Sequence, residues 1–189
     1  MRIHSVAGML AAAAAAGGLF AGCGSNTSPT TPPPAPSSAA AAGQQHNLAD
    51  VVFLQNMIHH HSHAITMSQM ARNQATSPQV KDLAARIETA QGPEIQQMSG
   101  LLTAWGTPAP TTPDGMGGTE HGQMPGMVSG AGFNRMFLHM MVVHHQDAVD
   151  MSQTELAQGS NPDARHLAQQ IISAQQAEIS EMQTLLQVI

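Results

Sequence analysis

Tyrosine is absent from this 189-residue sequence, cysteine and tryptophan occur once each, and only six residues are Lys or Arg. A single cysteine excludes an internal disulfide. So few basic residues leave no electrostatic footprint for a nucleic acid, which removes that class of partner. Strand signals are missing as well. The apolar stretch from Val6 to Ala16 is mostly alanine, too short and too weakly apolar for a spanning helix. What is abundant is methionine, with fourteen residues, and histidine, with eleven.

Met1 to Gly22, with Arg2 ahead of that alanine-rich stretch, reads as an export signal. It ends at Phe20-Ala21-Gly22-Cys23, which resembles the lipobox of bacterial lipoproteins, and Cys23 is then the lipidated first residue of an extracytoplasmic, membrane-anchored protein. Residues 23–45 are mostly Ser, Thr, Pro, Ala and Gly, a composition that cannot bury apolar area and serves as a disordered tether. Losing Arg2 with the signal leaves five basic residues against twelve acidic ones, a net charge near −7 with His neutral.

The folded part, residues 46–189, is an ungapped repeat with an offset of 84 residues. Phe53-Leu54, Met57, His60-His61, Ala64 and Met67-Ser68-Gln69 return as Phe137-Leu138, Met141, His144-His145, Ala148 and Met151-Ser152-Gln153. Over residues 53–102, 21 of 50 positions are identical to their partners, so the copies share one fold. Apolar residues in both copies follow the helical period. Ser77-Pro78 and Asn161-Pro162 each place an N-cap before a first-turn proline. Long helices joined by turns this short double back, so each copy is an antiparallel hairpin: 46–105 and 133–189. One hairpin half-covers its stripe, and two pack into an all-α four-helix bundle. Residues 106–132 form a Gly-rich connection that carries Met116, His121, Met124 and Met127 as further candidate metal ligands.

A packed core explains repeated Leu, Ile and Ala, but it does not call for His-His flanked by Met. On a wheel of about 100° per residue, Met57, His60, His61 and Met67 share a face, while His59 and His63 fall opposite. Imidazole suits copper, zinc and nickel, and thioether favours Cu(I). Neither oxidises to a disulfide, so such a set remains usable outside the cytoplasm. Methionine at helical spacing is also ordinary core filler, which is the reading for Met98 and Met182. Gln91, Glu94, Gln175 and Glu178 lie on the packing faces of the second helices, as direct ligands or as acceptors for imidazole N–H groups.

These residues resemble the domain-of-unknown-function 305 family, through Asp50-x2-Phe53-x3-Met57-x2-His60-His61-x2-Ala64-x2-Met67, Met98 to Gly106, and again Phe133 to Met151. The resemblance implies a ferritin-like four-helix fold and, in some members, extracytoplasmic copper binding linked to copper resistance. It implies a metal-site role for Asp50, Met57, His60, His61 and Met67, and for Met141, His144, His145 and Met151. Asn134 stands where Asp would match Asp50.

The expected function is a lipoprotein that binds copper, Cu(I) foremost with other transition metals open, for sequestration or hand-over to a partner protein. A ferritin-like oxidase is the alternative. The paired Glu-x-x-His motifs of carboxylate-bridged di-iron bundles are absent, because no glutamate among Glu88, Glu94, Glu155 and Glu178 has a histidine three residues on. A metal-free interaction module is the third reading.

Overall fold

A computed structural model describes residues 45–110 and 130–189. Cys23, the signal and tether segments, and Met116, His121, Met124 and Met127 lie outside the described residues. The described part contains four helices: α1 (Leu48–Gln74), α2 (Pro78–Ala104), α3 (Ala131–Gln158) and α4 (Pro162–Leu186). None of them is long and apolar enough to cross a membrane.

Each helix end follows from its local sequence. Asn47 and Asp50 form a reciprocal capping box at the start of α1. Ser77 and Asn161 cap α2 and α4 ahead of their prolines. After Trp105 the backbone turns left-handed at Gly106, φ 69°, and Thr107 N–H closes onto the Leu102 carbonyl at 2.9 Å. That closure satisfies an otherwise orphaned carbonyl, and glycine enters the left-handed region without a Cβ penalty. Gly159 follows α3 for another reason. Its φ is −70°, but an added Cβ would lie 2.1 Å from the Glu155 carboxyl oxygen.

α1 packs along α2 and α3 along α4, and the two hairpins join chiefly through α1 and α3. The joint is reciprocal. Asp50, at the start of α1, accepts hydrogen bonds from the backbone N–H groups of Ser160 and Asn161, both at 2.9 Å, in the turn before α4. Asn134, at the start of α3, accepts from Thr76 N–H at 2.9 Å and Ser77 N–H at 3.4 Å, in the turn before α2. Each helix start therefore meets the far end of the other, so α1 and α3 run antiparallel and the axis relating the repeats crosses the bundle.

This arrangement divides the interior into two apolar clusters. One joins Ala64, Met67 and Ala71 of α1 with Leu83 and Ile87 of α2 and Phe133, Phe137 and Met141 of α3. The other joins Phe53, Leu54 and Met57 of α1 with Met98 and Leu102 of α2 and Leu167 and Ile171 of α4. Met98 and Met182 are fully buried in these clusters. Truncating a core residue such as Leu54 or Phe137 to Ala would cost about 2–5 kcal/mol.

Candidate metal centre

Between the two apolar clusters, at mid-height, lies a polar layer. The doubled histidines sit near the middle of α1 and α3, so reversing one helix against the other superimposes middle on middle. A transverse axis therefore brings both motifs together, a choice between one shared site and two separate ones that the sequence leaves open. The His60 and His144 ring centroids are 3.6 Å apart, tilted by 35°. Within each pair the rings are more widely spaced, 6.5 Å for His60 and His61 and 6.4 Å for His144 and His145.

The outer helices close the layer. Nε2 of His61 lies 2.7 Å from Glu94 Oε2, and Nε2 of His145 lies 2.7 Å from Glu178 Oε2. Both histidines are fully buried, while the glutamates keep partial contact with solvent. A carboxylate at Nε2 fixes the proton there in the neutral ring and leaves the Nδ1 lone pair to face the layer. Neither Nδ1 has a hydrogen-bond partner, and the same holds for both ring nitrogens of His60 and of His144. Six buried imidazole nitrogens thus lie unpartnered in one layer, whereas buried polar atoms normally find a partner. The side-chain amides of Gln91 and Gln175, almost completely buried, are also unpartnered.

Electrostatics keeps the central rings neutral. Burial, followed by the charge of neighbouring imidazoles, pushes His60 down to about 3 and His144 to about 2. A neutral imidazole offers one lone pair, so these rings need lose no proton to bind a metal at neutral pH. Among the described residues, no three His, Cys, Asp or Glu side chains converge as a ready-made metal cage. The central rings lie close but tilted against each other.

The thioethers flank the layer unevenly. Met57 and Met141 are fully buried on opposite sides of it, in different apolar clusters. Met67 is buried in the same cluster as Met141, and Met151 is partly buried against the cluster holding Met57.

Asp50 and His63 both differ from the expectation drawn from the sequence. Asp50 is about 15 Å along the helix from His60, by the rise of ten residues. Its carboxylate is taken up by Asn47, Ser160 and Asn161. The signal for that role is the Asn47-x-x-Asp50 spacing of a capping box. Asn134 occupies the equivalent place in the second repeat, so its difference from Asp removes no carboxylate from the layer. His63 lies with its ring centroid 5.2 Å from that of His144. Three residues advance the helix by about 300°, so His63 is only about 60° from His60 and flanks it rather than opposing it. His59 is exposed.

Glu155 is a further buried carboxyl, with no equivalent in the first repeat, where Ala71 stands. As a carboxylate its two oxygens would be unpartnered. Burial first, then the hydrogen bond and charge of adjacent Asp50, push it up to about 8, with Arg165 opposing. Protonated at neutral pH, it donates to Asp50. Burial raises Asp50 too, but hydrogen bonds from Asn47, Asn161, Glu155 and Ser160 outweigh it and hold this carboxylate below its ordinary range.

The sequence profile of the domain of unknown function (DUF305) matches residues 50–186. Among solved structures, the chain resembles CopM in its Cu(II)-bound form, with 33% identity, TM-score 0.62, and coverage of 73% of this chain and 95% of that one. CopM has also been solved with Cu(I) and with silver. A protein from Streptomyces coelicolor described as secreted matches at 27% identity, TM-score 0.66, with 73% of this chain and 90% of that chain covered. An uncharacterised protein of Acanthamoeba polyphaga mimivirus is 43% identical over 53 residues, which is 28% of this chain and 35% of the relative. The chain spans about a third of that relative's length. With a family profile covering most of its sequence and the four described helices, this chain belongs to the DUF305 family.

Proposed function

We propose that this protein binds copper, Cu(I) foremost, in one centre shared by the two repeats, for sequestration or hand-over. The observation that carries the reading is the layer of four histidines with six unpartnered buried nitrogens. Burying unsatisfied polar atoms costs about 1–3 kcal/mol each, a cost that a bound ion would offset. Met57 and Met141 beside the layer supply soft donors of the kind Cu(I) prefers. The copper- and silver-bound forms of CopM support the same reading. Glu94 and Glu178 act as outer partners that orient His61 and His145. We read the protein as a carrier rather than an enzyme.

The location read from the sequence is extracytoplasmic, with a lipid on Cys23. The likeness to a secreted protein supports export. Cys23→Ala releases the protein from the membrane fraction on this reading, and unchanged retention contradicts the anchor.

The decisive test is anaerobic Cu(I) competition against a chromophoric chelator, using the full chain. His60→Ala with His144→Ala should damage the whole centre. If the centre is shared, either variant alone abolishes the tightest binding event instead of half the capacity. Unchanged Cu(I) uptake by the double variant sinks the assignment.

A further inference from the structure

A groove of about 300 Å³ runs from the surface to the polar layer. It is lined by His63 and Met67 of α1 and by His139, Met140, His144 and Asp147 of α3. Val143 stands at its mouth, 61% exposed, and His139 and Asp147 are exposed beside it. His144 is the one histidine of the central four that also lines the groove. It is therefore the point where outside and inside meet.

The groove is a product of divergence between the repeats. Across the pseudo-twofold axis, the equivalents of His139 and Met140 are Gln55 and Asn56, and the equivalent of Asp147 is His63. Gln55 is spent on a hydrogen bond to the Pro108 carbonyl at 3.2 Å. Side chains able to ligate a soft metal, His139 and Met140, thus occur on one face only. A helix surface needs neither imidazole nor thioether for stability there. The donors form a graded series, from the carboxylate and imidazole at the rim to two thioethers and the His144 ring further in. Asp147 adds the negative charge that raises the local concentration of a cation.

We propose that this groove is the metal entrance of the centre, where its carboxylate, imidazoles and thioethers take a copper ion from outside and pass it to His144. The proposal rests on the reading of the layer as a copper centre. Its signature is kinetic. A route contributes to the barrier between free and bound states and leaves both end states unchanged, so blocking it slows binding and release by one common factor.

The experiment is stopped-flow Cu(I) exchange between the full-length protein and a chromophoric chelator, under anaerobic conditions. His139→Ala with Asp147→Asn removes two exposed rim donors, and circular dichroism checks that the helices persist. Both rates should fall together, roughly tenfold, the lower end of what electrostatic focusing supplies, with the equilibrium affinity unchanged. Val143→Phe, which obstructs the mouth without removing a donor, should slow both rates as well. His59→Ala, exposed and outside the groove, should leave them alone. Unchanged rates in both groove variants, or a weakened affinity with an unaltered binding rate, overturn the entrance. A wild-type protein that takes up no Cu(I) overturns the reading of the centre instead, and with it the entrance.

Discussion

Asp50 and Asn134, equivalent positions of the two repeats, each accept the backbone N–H groups of the turn belonging to the other hairpin. The exchange is symmetric although one side chain is charged and the other neutral, because each presents an oxygen to the equivalent pair of amides. It fixes the height of α1 against α3, and with it the meeting of His60 and His144.

Removing one pin while the other still holds the register should weaken the fold without touching the metal. Asp50→Ala loses a helix cap and three hydrogen bonds to the opposite turn, a destabilisation of about 3 kcal/mol. Asn134→Ala should cost less, since its bonds involve no charged group. Thermal unfolding measures the loss, and Cu(I) competition at a temperature where the variant is folded should give the wild-type affinity. A large drop in affinity for Asp50→Ala would return Asp50 to the ligand set.

Glu94→Gln and Glu178→Gln preserve shape and hydrogen bonding but remove the charge behind His61 and His145. Outer partners of this kind change metal affinity by about 10–100-fold. Titration of each variant with Cu(I) should show that loss while the melting temperature moves little. Wild-type affinity in both would mean that His61 and His145 are packing residues.

Stability should pass through a maximum near pH 6.5. His60 and His144 have folded values of about 3 and about 2 against an ordinary 6.5. The unfolded chain takes up those protons first, so the stability they contribute is present above 6.5 and is lost as pH falls. Glu155 runs the opposite way, with a folded value near 8 against an ordinary 4.5. Its contribution is complete below 4.5 and is lost as pH rises toward 8. Between these limits two protons oppose one, and above 6.5 the glutamate acts alone. Each limb then has a slope of about 1.4 kcal/mol per pH unit. Melting temperatures of the apo protein from pH 4.5 to 8.5 test both limbs. Glu155→Gln should flatten the alkaline limb, and His60→Ala with His144→Ala should invert the acid one, leaving stability to fall steadily as pH rises from 4.5 to 8.

Met→Leu separates ligand from filler. In a core the exchange typically costs less than about 1.5 kcal/mol, and it removes the sulfur lone pair completely. At Met57 and Met141, Leu should weaken Cu(I) binding and leave apo stability nearly intact. The same exchange at Met98 and Met182, embedded in Leu-rich stripes, should be silent in both assays. Unchanged Cu(I) affinity in Met57→Leu would remove the soft-metal argument.

Much of this was legible in the sequence, because helices are local objects. The period of Phe53, Met57 and Ala64, the caps at Ser77 and Asn161, and the 84-residue offset determine four helices and two hairpins with no knowledge of their packing. The doubled histidines, too polar for a core and repeated in register, mark the candidate centre in the same way. The opposite-face reading fails at His63, which the helical period puts only about 60° from His60, because a helix in the middle of a bundle packs on two neighbours and has no single inner face. The role of Asp50 is hidden in the sequence, because its partners Ser160 and Asn161 lie 110 and 111 residues away. Whether two motifs share one layer depends on the relative direction of α1 and α3, which no intrahelical periodicity encodes. The reciprocal pins at Asp50 and Asn134 set that direction, and only the tertiary structure places four histidines and two glutamates at one height between two apolar clusters.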